Sequence, residues 1–267
     1  MKKFILIIML IFLVIPLISS ADHVQQVDWL YKNGEYFYFK FGKNTNLSAN
    51  TIAVVSDHNG SQEYADSTGV TTIFSSSSLD SIGVGGCQTL LIEGILGPPN
   101  YQIAQELVTM VGTDTVTAKH EFLWVHRMAV FTSGDSYANV GDISCEITTK
   151  NVSKILAGVN QTNSAIFYMP GMDFVGNSYT PGSLYHWFAY ILRAQSTGAD
   201  FSLWKSRAGS TVWSNADQRG GVSTGSTGSE FSRPMEVLAG TGLRVMVTST
   251  SGAAEATGGF CISFGTK

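Results

Sequence analysis

Apolar and polar residues alternate with a period of two over short stretches of this chain, and Gly, Pro, Asn, Asp or Ser closes off each stretch. The plainest case is EYFYFKF, residues 35–41, with Tyr36, Tyr38 and Lys40 on one side and Phe37, Phe39 and Phe41 on the other. That period predicts a strand whose phenylalanine side faces a core. The same reading predicts strands over 51–55, 70–74, 89–95, 102–111, 115–131 and 143–149. A second set starts near residue 155 and covers 164–169, 184–194, 199–206, 211–213, 235–238, 243–248 and 260–264. The stretch SLYHWFAYILRA, 183–194, would also fit an amphipathic helix, but its aromatic content and flanking glycines favour a strand.

Between the runs, FSSSSLDSIGVGGC reads as the polar end of a strand, Ser75 to Ser78, leading into a glycine-rich turn over 80–86. RGGVSTGSTGSEFSRP, 219–234, has no apolar period and reads as a long surface loop. TKNVS, 149–153, is a polar break between the two strand sets. No strand-helix alternation is present, which excludes a parallel α/β fold. Seven or eight strands per half suits a Greek-key or jelly-roll sandwich. The expectation is therefore all-β, with two antiparallel β-sandwich, jelly-roll-like domains over 22–150 and 151–267, after a signal-type segment over 1–21.

That first segment, MKKFILIIMLIFLVIPLISSA, has two lysines, a 15-residue apolar run from Phe4 to Ile18 and small residues up to Ala21. This is the layout of a secretory signal peptide, and the run falls short of the ~20 residues a spanning helix needs. Composition supports the β reading: only 13% of the 267 residues are charged, so Ser, Thr, Gly and Asn must cover the surface. The net charge of -4 supplies no basic field, so nucleic acid is not an expected partner. Three cysteines, Cys87, Cys145 and Cys261, lie 58 and 116 residues apart, which fits neither a disulfide scaffold nor a zinc site. They read as small buried hydrophobes.

Candidate chemistry is sparse. Gly221-Val222-Ser223-Thr224-Gly225 matches the nucleophile-elbow pattern but lacks the strand and helix that make it work, so it reads as chance in a Gly/Ser segment. His120 and His126 would stand about 20 Å apart on one strand face, too far to share a metal. Glu93, Glu106, Glu121, Asp135, Asp142 and Asp173 leave a glycosidase pair open, since the required separation is a three-dimensional fact. Acceptors for glycosylation occur at Asn46, Asn59, Asn151 and Asn160. Tyr185, Trp187 and Tyr190 with Trp204 and Trp213 could form a platform for a glycan or partner, or could fill a core.

Taken in order, the segments FKFGKN, SSSSLDSIGVGGCQTLLIEGIL, QELVTMVGTDTVTAKHEFLWVHRM, GDSYANVGDISCEITT and ILAGVNQTNSAIFYMPG resemble virion structural proteins of tailed, mainly marine, bacteriophages. The similarity runs over nearly all of residues 34–264. It implies a non-enzymatic protein of the particle, a head decoration or fibre-like component built of β-sandwiches. It also implies capsid or virion proteins and sister copies as partners, with host surface glycan as a further one, and neither cofactor nor metal. Carried over by position, Gly83, Gly85, Gly86, Asn139, Gly141, Asn160, Gln161, Pro170 and Gly171 match the family's turn residues. Two departures stand out: Gly97-Pro98-Pro99-Asn100 replaces a polar turn, and the signal-type N-terminus implies export or membrane association during assembly. Two rival readings are an exported carbohydrate-binding or adhesion module and an exported glycan hydrolase.

Overall fold

The computed structural model describes residues 30–32, 35–48, 50–56, 63–65, 67–194, 199–207, 210, 212–222, 225–249 and 254–265. The signal-type segment, His23, His58, Asn59 and Ser223 lie outside the described residues. Among those described there are strands and turns but no α-helix. In chain order the strands are β1 (Leu30–Lys32), β2 (Glu35–Leu47), β3 (Ile52–Val54), β4 (Thr71–Ser75), β5 (Cys87–Leu96), β6 (Ile103–Thr109), β7 (Val116–Thr117), β8 (Phe122–Ser133) and β9 (Ile143–Ile147). There follow β10 (Lys150–Ile155), β11 (Ile166–Tyr168), β12 (Gly182–Ala194), β13 (Ala199–Ser206), β14 (Trp213–Val222), β15 (Gly225–Val237), β16 (Gly242–Ser249) and β17 (Ala254–Gly265).

These strands build four antiparallel sheets, arranged as four blades, where two sandwiches were expected. The first has the order β1-β2-β17-β12-β15 and the second β10-β9-β4-β7. The third has the order β11-β16-β13-β14, with β3 also paired to β16, and the fourth β6-β5-β8. Both ends of the described chain meet in the first sheet, where Glu35 pairs with Gly265. The second and fourth sheets come wholly from β4 to β10, a unit inserted between β3 and β11. The expected division at 150/151 therefore falls inside the β9-β10 hairpin, where Lys150 pairs with Ile147. A polar break in sequence marked a tight turn, not a linker: Thr148 and Thr149 there have φ of 47° and 70°.

The first and third sheets face each other. Trp187 of β12 donates its indole N–H to Asp217 of β14 at 2.8 Å, and Phe167 of β11 meets Phe260 of β17 edge-on at 6.3 Å. Fully buried Ile, Leu, Val and Phe residues fill this interior, among them Phe201, Leu203, Val245, Val247 and Ile262.

Two strand readings are corrected. On β2 the buried side is Tyr38 and Lys40, both fully covered, while Phe39 and Phe41 are half-buried on the other side. Of segment 219–234, residues 219–222 belong to β14, which lines one edge of the third sheet, and 225–234 to β15, which lines one edge of the first. Its ladder hydrogen bonds, not an apolar period, hold it.

Candidate functional site

A group of polar and aromatic side chains lies where the inserted unit meets the facing sheets. Lys40 of β2, fully buried, donates its Nζ to the carbonyl of His126 on β8 at 2.5 Å. The His126 ring stacks on Phe167 at 4.9 Å and sits 6.2 Å from Tyr38. Its Nε2 accepts the backbone N–H of Tyr168 on β11 at 3.2 Å, which puts the ring proton on Nδ1. Burial, then the Lys40 charge, holds the imidazole's pKa well below the ordinary histidine range, so the ring is neutral.

Beside it, Arg244 of β16 lies under three rings, with its guanidinium carbon 4.2 Å from the Trp213 centroid, 5.0 Å from Tyr64 and 5.4 Å from Trp204. Such face contacts are worth about 0.5 to 2 kcal/mol each and satisfy a cation without a carboxylate. Tyr64 also stacks on Trp124 at 5.6 Å, Trp124 meets Tyr168 at 5.3 Å, and Tyr168 meets Trp213 at 6.0 Å. With Tyr64 and Trp213 5.2 Å apart, these four rings close a loop joining the two units. Burial raises the Tyr64 phenol pKa, and Arg244 opposes that rise.

A second polar centre lies inside the inserted unit. Asp80, fully buried, accepts the Ser75 hydroxyl at 2.5 Å and the backbone N–H groups of Cys87, Val140 and Gly141 at 2.8 Å each. One carboxylate thus clips the 75–87 loop to the 139–141 turn. Gly86 and Gly141 are required by this closeness: a Cβ on Gly86 would stand 2.1 Å from Asp80 Oδ1, and one on Gly141 2.5 Å from Ser77 N. The turn residues that carried the sequence resemblance here serve the clip, and Asn139 adds to it by donating to the carbonyls of Gly141 and Leu156.

The four aromatic residues read as a platform do not meet on one surface. Tyr185 is 41% exposed, Trp187 is buried between the sheets, and Trp204 and Trp213 pack on Arg244. Tyr185 and Trp187 part because the pairing of β12 with β17 shifts by one residue between Leu184 and His186, and such a bulge inverts the faces beyond it. Tyr190, 40% exposed, lies on the outer face with Phe188 at 5.7 Å, and Phe188 meets Phe41 at 5.3 Å.

Four of the six candidate carboxylates, Glu93, Glu106, Asp142 and Asp173, are drawn into structural roles, while Glu121 and Asp135 are exposed. Glu93 and Glu106 sit on adjacent strands but pair with Gln105 and Ile92, so they point to opposite faces. Glu106 accepts the Lys119 and His120 N–H groups, and Asp142 accepts the Ala157 N–H and the Lys154 ammonium at 2.6 Å. Asp173 caps its own loop through Val175 and Asn177. His120 precedes β8 and meets Phe122, away from His126. Among the described residues no three His, Cys, Asp or Glu come together as metal ligands. The cysteines are buried free thiols, as read from the sequence, and burial pushes Cys261 up to about 11 and, with Asp80 nearby, Cys87 up to about 12.

Sequence reasoning missed Asp80, Lys40, Tyr64 and Arg244 as site residues. A lone Asp between a serine run and a glycine run is a signal for side-chain-to-backbone turn chemistry. A single cation in an aromatic strand is a weaker signal for a buried charge.

No family model and no curated protein matches the chain. Among solved structures, it is similar to that of the infectious bursal disease virus Gx strain, at 10% identity over 86% of this chain and 71% of the other, with a TM-score of 0.21. The structure of the same virus's Gt strain gives 9% identity, 92% and 73% coverage and a TM-score of 0.20. The VP2 subviral particle of that virus gives 9% identity, 92% and 74% coverage and a TM-score of 0.19. At such TM-scores the fold is read from the chain's own strand pairing.

Proposed function

We propose that this chain is a non-enzymatic structural protein of a virus particle, a capsid decoration or fibre-like component that acts by protein-protein assembly. The observation that carries the reading is the nested topology. The sheet orders β2-β17-β12-β15 and β3-β16-β13-β14, with the chain switching sheets at every step except the β13-β14 hairpin, match the pairing of an eight-stranded jelly roll. The β4-β10 unit rides in one connection of that roll. Jelly rolls serve viral capsids and lectins alike. What favours the particle is that the buried Asp80, Lys40 and His126 and the half-buried Arg244 all fasten loops or join units, and the sequence segments resemble virion proteins. In this reading the roll is the base that contacts capsid or sister subunits, the inserted unit projects, and host attachment falls to the projecting part. Mass spectrometry of purified particles should find the mature chain; its absence from particles overturns the proposal.

The second reading, an exported carbohydrate-binding or adhesion module in which Tyr185 contacts a host glycan, draws on the exposed rings of Tyr185 and Tyr190 beside Phe188 and Phe41. A glycan array with hits lost in a Tyr185→Ala, Tyr190→Ala double variant would favour it over assembly.

A further inference from the structure

At one end of the inserted unit two loops, 77–86 and 134–141, are tied together and turn apolar side chains outward. Leu79 is 47% exposed, Ile82 68%, Val84 37%, Tyr137 83% and Val140 37%. Val111, 45% exposed, joins them because it bridges to Ser81. Solvated loops ordinarily carry polar tips, so five exposed apolar side chains on two fastened loops, with Val111 beside them, call for a partner.

Seven backbone N–H groups of these tips are paired from within. The N–H groups of Val84 and Gly86 bond to the carbonyls of Ser81 and Leu79, and those of Gly134, Ser136 and Tyr137 to Gly86, Gly85 and Gly134. Val140 and Gly141 N–H groups go to Asp80, and the Ser136 hydroxyl bonds to the carbonyls of Gly85 and Ala138. Internal pairing of backbone groups is what a low-dielectric surface demands of a segment that enters it. The charges agree. Residues 81–87 and 136–141 contain no ionisable acid or base except the Cys87 thiol and the Tyr137 phenol, and the exposed Asp114 and Asp135 beside them would repel an anionic surface. An uncharged apolar tip without basic residues has nothing to bind an anionic bilayer and fits a zwitterionic one, with Tyr137 at the headgroup level where an amphipathic ring settles.

We infer that the tips of the paired loops, residues 81–86 and 136–141, insert shallowly into the interface of a zwitterionic lipid bilayer, with Asp135 left outside it and the Asp80 clip holding the tips in the inserting shape. The inference stands apart from the virion reading, because it concerns what the purified chain does with lipid. The test is flotation of the full chain with phosphatidylcholine vesicles. The wild-type chain should float with them, phosphatidylserine should add nothing, and an Ile82→Asp, Tyr137→Asp double variant should bind about tenfold less or weaker still. A Val212→Asp variant, changed at a site 75% exposed just before β14 of the third sheet, should float like wild type. Unchanged far-ultraviolet circular dichroism and melting temperature show that each variant is folded. A wild-type chain that stays with the soluble fraction, or a double variant that floats as well as wild type, overturns the inference. So does sedimentation showing that the same double variant dissolves a dimer of this chain, because the partner of the patch would then be a second copy.

Discussion

The Asp80 clip and the seam around Lys40, His126 and Arg244 solve one problem in two ways. Each buries ionisable groups inside a β-protein, where an unsatisfied charge is costly. Asp80 meets four donors from one compact set of loops, three of them backbone N–H groups. The seam instead gives its cations a carbonyl and aromatic faces, drawn from β2, β8, β11 and β16 and from Tyr64 and Trp213. A carboxylate accepts many directed bonds at once, so it suits a point where several turns converge. A guanidinium lying on rings is held over a broad area, which suits the joining of two units whose surfaces are already apolar.

The comparison is broken most severely by removing Asp80. Asp80→Ala strands four donors in a dry loop cluster and should lower stability by about 3 to 5 kcal/mol in urea unfolding, with Asp80→Asn retaining part of the loss. Next is Trp213→Ala, which removes the ring nearest Arg244 and its contacts with Tyr64 and Tyr168. It should cost about 2 to 4 kcal/mol and, unlike the Asp80 change, should expose the junction between the units to proteolysis.

The smallest effect concerns acid. His126 has a folded pKa below its unfolded value near 6.5, so the unfolded chain takes up the proton first. Its contribution is complete above that value and declines as pH falls, by at most about 1.4 kcal/mol per pH unit. His126→Gln, whose side-chain carbonyl can still accept the Tyr168 N–H, should flatten the stability profile between pH 6.5 and 5. The lowered carboxylates of Asp142 and Asp173 act in a separate window, because their support is lost only below the unfolded value near 3.8.

Strand positions were readable because period-two patterning is local. β13 was expected over its observed span, Ala199–Ser206, and β5 and β9 nearly so. Faces were harder. Chemistry alone places the phenylalanines of β2 inward, but Lys40 can be buried because the His126 carbonyl arrives from 86 residues away. The bulge at Tyr185 comes from pairing, and one inserted residue was enough to put Tyr185 and Trp187 on opposite faces of β12. Edge strands β14 and β15 escaped notice because a strand held by its ladder on one side needs little apolar patterning. The nesting of one unit inside the other left no local trace, since it depends on which distant strands pair.

That nesting has a consequence for the order of events on the ribosome. The ladders of β4 to β10 close among neighbours, so this unit can fold while the rest of the chain is still being made. The sheet that carries it cannot: β17 lies between β2 and β12, so both wait with open ladder groups until the last strand is synthesised. During that interval β2, with its aromatic side chains, is an unpaired template for other chains. A nascent chain stalled before β17 would therefore be a folded head on a sticky, half-built body, the species a chaperone would have to hold.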